Sequence, residues 1–342
     1  MKKESEKLYA GIDIGSTTVK IAIIDPSTNN LIYSDYRRHN ADLSGTLGLM
    51  LGDFDRIYPD AKLVTAVCGS GGMAISKKIQ AFYIQEVVAN SLFIRKYYKD
   101  VRVSIELGGQ DAKVIFFTLD KDTNQLIAYD MRMNGSCAGG TGAFIDQVAE
   151  LLSIKTEEFA SLSEKGKTVY DISGRCGVFA KTDIQPLLNH GVSKEDIALS
   201  TFHAIVKQTI GGLAQGMEIK PKVIFVGGPL TFNKRLVSVF RERLSLGDDD
   251  VVIPDKPEIL VAYGAALSID LMFSSAGTGS GVADIVSKLD TNGKNGESEK
   301  SDSGQLFFEN DEEREDFFRR HSRDEGKGFY EIPAGTDSLD VY

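Results

Sequence analysis

The segment "YAGIDIGSTTVKIAIID", from Tyr9 to Asp25, decides the fold because it encodes two apolar strands joined by a short glycine turn. Small and branched apolar residues on both sides of "GST" predict a tight hairpin. Asp13 ends the first predicted strand, two residues before the turn, and Lys20 lies in the second. The segment therefore predicts a hairpin with charged side chains close to its turn.

A second hairpin repeats this pattern about a hundred residues later. In "VRVSIELGGQDAKVIFFTLD", from Val101 to Asp120, an acid again stands two residues before a glycine turn. Glu106 takes the place of Asp13, and Lys113 takes the place of Lys20.

A third pair of strands extends the repeat. "KLVTAVCGSGG", residues 62–72, resembles "PKVIFVGGPL", residues 221–230, because each is an apolar strand that ends in glycines. The chain therefore reads as an internal duplication, with helices predicted between the strands. The fold class predicted is α/β, with two mixed-sheet subdomains that flank a cleft.

Composition excludes several classes of function. The 342 residues are 42% hydrophobic and carry a net charge of −10, which disfavours a nucleic-acid partner. No stretch approaches the roughly 20 apolar residues of a membrane span, and the N-terminus lacks the apolar region of a secretory signal. Three cysteines form no even disulfide framework, so we expect a reducing, cytoplasmic location.

The pattern also predicts domain boundaries. We expect an N-terminal tail over 1–7, a first subdomain over 8–100 and a second subdomain over 101–273. From 274 to 342 the sequence becomes polar and rich in Gly, Ser and Asp, which is typical of a linker or tail, with one short charged helix.

The first hairpin turn has the chemistry of a phosphate clamp. Backbone N–H groups and hydroxyls can donate to phosphate oxygens, and Asp13 can hold Mg²⁺ through water. An ordinary glycine hairpin turn is the alternative. The residues predicted to bind a nucleotide here are Gly15, Ser16, Thr17, Thr18 and Lys20.

The second hairpin turn faces the same ligand in this interpretation. Glu106 can bind the metal ion or orient a water molecule, and Gln110 and Asp111 can position the attacking water. The sequence lacks a Walker-type loop, so an ATP site of another kind is predicted between the two turns. The glycines expected to approach the nucleotide are Gly108 and Gly109 in this turn and Gly227 and Gly228 in "VGGPL".

Two cysteines lie in glycine-rich segments just before predicted helices. Cys137 lies in "NGSCAGGTGAF" and Cys176 in "SGRCGVFAKTD". A helix N-terminus favours the thiolate form. The pair is compatible with a redox couple, with half of a metal site, or with two unrelated thiols. A [4Fe-4S] cluster takes four thiolates, which two copies of the chain can supply around a two-fold axis.

The motifs "GIDIGSTTVK", "GGQDAK" and "VGGP" together resemble the superfamily of acetate and sugar kinases, chaperone ATPases and actin, over about residues 8–272. With the two cysteine motifs, the chain is similar to the ATP-dependent activators, or component A, of 2-hydroxyacyl-CoA dehydratases and to the ATPase subunits of benzoyl-CoA reductase. The resemblance implies a duplicated ribonuclease-H-like, actin-like ATPase fold. It also implies a homodimer with one bridging [4Fe-4S] cluster held by Cys137 and Cys176.

The same resemblance implies a function. ATP hydrolysis would drive the transfer of one low-potential electron, received from a ferredoxin or flavodoxin, to a partner iron–sulfur dehydratase or reductase. Some residues depart from the family pattern, because Glu106 replaces an aspartate and "YIQEVVANSL" lacks a histidine. Cys68, in "CGSGG", is expected to be structural or close to the nucleotide. These departures and the polar tail resemble the first repeat of tandem-domain members of the family, so the chain can be a truncated or split version.

Two alternatives stay open at this point. A small-molecule kinase of the same fold would use the same phosphate loops without an iron–sulfur cluster. An ATP-dependent chaperone or scaffold would use its cysteines for zinc or for nothing.

Overall fold

The two predicted hairpins each start a sheet in the computed structural model, which describes residues 7–134, 139–273, 279–290 and 311–321. The strands are β1 (Lys7–Ile14), β2 (Thr18–Ile24), β3 (Leu31–Arg38), β4 (Lys62–Cys68), β5 (Phe82–Tyr83), β6 (Val103–Leu107), β7 (Ala112–Leu119), β8 (Leu126–Asn134), β9 (Val223–Val226), β10 (Val251–Val252) and β11 (Ser280–Gly281). The helices are α1 (Leu43–Ile57), α2 (Gly72–Ile79), α3 (Glu86–Tyr97), α4 (Gly142–Leu151), α5 (Thr156–Ser163), α6 (Gly177–Asn189), α7 (Lys194–Thr209), α8 (Gly228–Phe232), α9 (Lys234–Leu244), α10 (Leu260–Met272), α11 (Val282–Asp290) and α12 (Asp311–His321).

The strand order confirms the internal duplication. The first sheet runs β11-β4-β1-β2-β3, with β5 beside β4, and the second runs β10-β9-β6-β7-β8. In both sheets the hairpin continues into a third antiparallel strand, while β4 and β9 run parallel to the first strand of their own half. The register also repeats, because Asp13 pairs with Lys20 and Glu106 pairs with Lys113.

The core has three layers of apolar packing because both faces of each sheet are covered. The outer face of the first sheet packs on α1, α2 and α11. The outer face of the second sheet packs on α4 to α7 and on α9. Helices α3 and α10 lie between the two sheets and contribute to a shared core. Strands β1 and β2 are buried almost uniformly along their length. Burial on both faces explains why their sequences are nearly continuous apolar runs.

Small residues let α10 approach its neighbours closely. A β carbon built on Gly11 of β1 would lie 1.8 Å from the carbonyl oxygen of Ala262 in α10. On the other side of the helix, a β carbon on Gly264 would lie 1.9 Å from the carbonyl oxygen of Ala89 in α3. Backbones at these two contacts therefore touch without an intervening side chain.

The predicted boundary at 273 falls too early. Strand β11 pairs with β4, and α11 buries Val282, Ile285 and Leu289 against the first sheet. Apolar residues at helical spacing drive this packing, although the surrounding composition is polar. The chain divides into two units, residues 1–291 and 292–342, and α12 is the described part of the second. Within the described ranges, every helix is too short or too polar to cross a bilayer.

The Gly11 contact predicts a large effect of a single methyl group. Gly11→Ala should lower the free energy of unfolding by about 2 kcal/mol or more, because the new β carbon meets a backbone carbonyl that cannot rotate away. Gly52→Ala is the matched control, since Gly52 lies in α1 with no heavy atom within 4 Å of a built β carbon. That variant should be neutral or more stable by up to about 1 kcal/mol. Urea unfolding measures both, and equal stabilities of the two variants would contradict the packing described.

Candidate functional site

A cavity of about 310 Å³ opens between the two hairpin turns and the start of α8. Most of the predicted site residues line it, namely Asp13, Thr17, Thr18, Lys20, Glu106, Gly108, Gly109, Gly227 and Gly228. Gly15, Ser16, Gln110 and Asp111 are not among the lining residues, although each belongs to one of the two turns. The duplication thus brings both turns to one cavity, as the sequence predicted.

The first turn holds a buried ion pair. Asp13 is 1% exposed, and its Oδ2 accepts a hydrogen bond from Lys20 Nζ at 2.8 Å. Burial by itself lowers the pKa of Lys20, but the charge of Asp13, the hydrogen bond to it and the charge of Glu86 together outweigh burial, and the net shift is upward. Asp13 Oδ1 is buried and accepts no hydrogen bond from the described residues. An acceptor of this kind is suited to a water molecule or a hydrated cation.

The second turn holds a larger buried charge cluster. Lys113 Nζ lies 2.6 Å from Asp111 Oδ2, 2.8 Å from Glu86 Oε1 and 3.3 Å from Glu106 Oε1. The other oxygen of Glu106 accepts a hydrogen bond from Asn90 Nδ2 at 2.7 Å. Both Glu106 and Asp111 are therefore fixed by partners behind the turn, and Gln110 is left exposed at its tip.

Glu86 is a member of this cluster that sequence reasoning missed. Burial, and then the charges of Asp13 and Glu106, raise the pKa of Glu86 to about 8. Glu86 is the first residue of α3, and nothing in its local sequence distinguishes it from an acid that favours a helix N-terminus. Only the packing of α3 between the sheets brings it to the site.

The charges of the two turns do not balance. Four carboxyl groups, those of Asp13, Glu86, Glu106 and Asp111, surround the two ammonium groups of Lys20 and Lys113. Glu86 keeps its proton up to about pH 8, so three negative charges face two positive ones at neutral pH. An excess of buried negative charge favours the arrival of a cation or the uptake of a proton. Among the described residues, no group of three or more His, Cys, Asp or Glu is arranged to hold a metal ion directly. A cation here would need water or ligand oxygens to complete its shell.

The glycines opposite the turns are required by close approach. Gly227 has φ +95°, and a β carbon built on it would lie 2.2 Å from the carbonyl oxygen of Leu107. A β carbon on Gly228 would lie 2.4 Å from the hydroxyl of Tyr36. The Tyr36 ring in turn packs edge-on against Phe232, with centroids 5.5 Å apart. This part of the cavity therefore offers backbone and aromatic surface of the kind that suits a nucleoside.

Further lining residues come from elements that the motifs did not indicate. Arg38 at the end of β3 and Asp146 in α4 form an ion pair across the cavity. Thr156 and Glu157 open α5 at its rim. No motif contains these four residues, and their sequence neighbours give no local signal for a site.

The described backbone also brings the two cysteine segments together. Cys176 is half-buried and occupies the position just before α6. Cys137 lies outside the described residues, which resume at Gly139. A β carbon built on Gly139 would lie 1.8 Å from the carbonyl oxygen of Arg175. The residue two positions after Cys137 thus contacts the residue before Cys176.

Cys68 has a different environment. It is fully buried at the end of β4, opposite Asp13 in the parallel register. Burial, and then the charges of Asp13 and Glu86, raise the pKa of its thiol well above the usual value. A protonated, enclosed thiol is a poor metal ligand, which agrees with a structural role close to the predicted nucleotide site.

Comparison with known proteins identifies relatives over most of the chain. The model of the BadF/BadG/BcrA/BcrD ATPase family matches residues 10–268. A 2-hydroxyisocaproyl-CoA dehydratase activator from Clostridioides difficile is 28% identical, over 75% of this chain and 92% of its own length. An (R)-2-hydroxyglutaryl-CoA dehydratase activating ATPase from Acidaminococcus fermentans is 27% identical, over 64% of this chain and 81% of its own length.

A solved structure supports the same grouping. The activator of 2-hydroxyisocaproyl-CoA dehydratase from Clostridium difficile, with bound ADPNP, superposes with a TM-score of 0.66 at 27% identity. The match covers 78% of this chain and 96% of that one. This similarity confirms the duplicated, actin-like fold that the hairpin motifs predicted.

The environment of Glu86 predicts a pH dependence of stability. The folded protein keeps the Glu86 proton up to about pH 8, whereas the unfolded chain loses it near the ordinary value. The contribution of the protonated Glu86 to the free energy of unfolding is therefore complete below about pH 4 and is lost as the pH rises through about 8. Between about pH 5 and pH 8, the free energy of unfolding of the wild type should fall more than that of Glu86→Gln, by on the order of 2 kcal/mol.

Urea unfolding at the two pH values measures this difference. Glu164→Gln is the matched control, because Glu164 is an exposed glutamate at the end of α5, and it should follow the wild type. Parallel pH curves for the wild type and Glu86→Gln would show that Glu86 is ionised in the fold at neutral pH.

Proposed function

This chain belongs to the BadF/BadG/BcrA/BcrD ATPase family, and we propose on that premise that it hydrolyses ATP to activate a partner iron–sulfur enzyme by transferring one low-potential electron. The relatives named above are activators of 2-hydroxyacyl-CoA dehydratases. We propose a dehydratase of that class, or a related benzoyl-CoA-reductase-type protein, as the partner. The observation that carries the proposal is the pair of acid-glycine turns at one cavity, with a surplus of buried carboxylates.

ATP binds in this proposal with its phosphates between the turns and its adenosine beside Gly227 and Gly228. Hydroxyls of Thr17 and Thr18 and the ammonium of Lys20 line the phosphate end of the cavity and can contact phosphate oxygens. Asp13 offers its unpaired Oδ1 to the hydration shell of Mg²⁺, and Mg²⁺ when bound neutralises charge on the phosphate oxygens. The surplus negative charge at the turns would favour the binding of Mg²⁺ together with the phosphates.

Hydrolysis needs a water molecule in line with the terminal phosphate. Gln110 stands exposed at the tip of the second turn, and Asp111 and Glu106 are held in fixed orientations by Lys113. We assign Gln110 and Asp111 to orienting the water and Glu106 to the metal shell or to that water. The water oxygen forms the new bond to phosphorus, the bond to ADP breaks, and the proton leaves to phosphate or solvent.

Cys137 and Cys176 would hold one [4Fe-4S] cluster between two copies of the chain. The contact between Gly139 and Arg175 supports this assignment, since it brings the two cysteine segments of one chain together. Each chain supplies two thiols and a cluster takes four, which requires the homodimer. The cluster, when bound, supplies a one-electron carrier. The glycines beside both cysteines in the sequence carry no side chain that would keep the backbone away from its sulfur atoms.

The remaining partners follow from the same proposal. A ferredoxin or flavodoxin supplies the electron, and the protein acts in the cytoplasm under anaerobic conditions. The small-molecule kinase would share the ATP site but would hold no iron–sulfur cluster, so the iron content of the protein separates the two functions.

Asp13→Asn tests the nucleotide site. The substitution removes the charge that faces the metal shell, so the rate of ATP hydrolysis should fall at least about 100-fold. Removal of Mg²⁺ by EDTA should give a comparable loss in the wild type. Asp25→Asn is the control, because Asp25 only organises an exposed turn through Ser27 and Thr28. Normal hydrolysis by Asp13→Asn would contradict the role given to this carboxylate.

Cys176→Ala tests the cluster. Protein purified without oxygen should contain about four irons per dimer and absorb visible light, and the variant should lose both. Cys68→Ala should keep them, since Cys68 is buried and its thiol is protonated. Iron and sulfide analysis with a mass of the native assembly measures the result. An iron-free wild-type monomer that phosphorylates a small molecule would favour the kinase instead.

A further inference from the structure

The ion pair of Arg38 and Asp146 joins the two halves across the mouth of the cavity. Arg38 Nη1 lies 3.0 Å from Asp146 Oδ2, and Arg38 Nη2 lies 3.2 Å from Asp146 Oδ1. Two parallel hydrogen bonds of this type fix both the distance and the orientation of the groups. Arg38 belongs to the first half and Asp146 to the second, and both line the cavity.

The arginine is tied to the first phosphate turn. Arg38 pairs with Thr18 in the β2–β3 register, so their side chains stand side by side on one face of the sheet. The next residue, His39, donates its backbone N–H to the carbonyl oxygen of Thr17 at 3.1 Å. A ligand that shifts the first turn must therefore shift Arg38 as well.

The aspartate is tied to the second turn and to the cysteines. Helix α4 begins with N–H groups of Gly142 and Ala143 that donate to the carbonyl oxygens of Gly108 and Gly109, at 3.0 and 2.7 Å. One residue after Asp146, the side chain of Gln147 covers Gly177, where a built β carbon would lie 2.3 Å from Oε1. Gly177 directly follows Cys176 and begins α6. Helix α4 therefore contacts both the second turn of the cavity and the start of α6.

We propose that Arg38 and Asp146 form a latch that couples closure of the nucleotide cavity, through α4, to the position of Cys176. The inference rests on the proposed function, because it needs a nucleotide in this cavity. Both are positioning residues, since they act on Cys176 through α4. Exposed ion pairs contribute little to stability, so nucleotide binding can favour or break this one at small cost. When the pair forms or breaks, α4 shifts as a short rigid helix, and its contact at Gly177 shifts with it.

The test reads the accessibility of Cys176 and needs neither iron nor a partner. Iron is removed with a chelator, and the protein is treated briefly with iodoacetamide, with and without a saturating non-hydrolysable ATP analogue and Mg²⁺. Trypsin releases Cys176 in the peptide "CGVFAK", residues 176–181, which mass spectrometry quantifies apart from the other two cysteines. Nucleotide should change the alkylation rate of Cys176 in the wild type by roughly fivefold or more.

The variants separate coupling from binding. Arg38→Gln and Asp146→Asn should reduce this change to less than about twofold at saturating nucleotide. The double variant R38D/D146R should recover most of it, because the pair is restored with reversed charges. Arg235→Gln is the matched control, since it removes a similarly exposed pair with Glu242 in α9 and should respond like the wild type.

Three results overturn the latch: no response in the wild type, a wild-type response in both single variants, or no recovery in the reversed pair although it binds nucleotide. Isothermal titration calorimetry on the same samples shows whether nucleotide binds. If the wild type binds none, the proposed function fails and the latch fails with it. If nucleotide binds and Cys176 responds but no iron is ever found, only the cluster assignment fails.

Discussion

The structure depends on charged side chains that are buried at the turns of two hairpins. A buried ion must find a partner, since losing one costs several kcal/mol. Asp13 opposite Lys20 and Glu106 opposite Lys113 satisfy this requirement within each hairpin. The same pairs fix the strand register, because a slip of one residue would place each charge on the wrong face. With the register fixed, each turn keeps a fixed position beside the cavity.

The halves are equivalent in their hairpins and different in their insertions. Between β8 and β9 the second half places α4 to α7, whereas the first half has only α1 between β3 and β4. Both cysteine segments fall within that larger insertion. The duplicated part thus supplies the two turns of the cavity, while the inserted part adds lining residues from α4 and α5 and carries the cysteine segments that are proposed to respond to the nucleotide. Helix α4 lies at their junction, with its first N–H groups on the second turn.

Local patterns were sufficient to predict the hairpins, the duplication and the turn residues of the cavity, because each depends on neighbours in sequence. Glu86, Arg38 and Asp146 were missed for the opposite reason. Their roles arise from contacts between distant elements, and each looks locally like an ordinary surface charge. The boundary at 273 failed because composition outweighed spacing, and the three buried apolar residues of α11 gave too short a periodic signal among glycines and serines. The shared cluster role of Cys137 and Cys176 stays a prediction from the motifs, because Cys137 lies outside the described residues.

Helix α10 has a consequence for how the chain is made. It is encoded at the end of the second half, yet it fills the inner face of the first sheet and touches the backbone at Gly11. During synthesis, the strands of the first sheet are made long before this helix. The face of the sheet that α10 covers stays without this helix until about residue 272 has been translated. The first half therefore completes its core only with a helix that the second half supplies.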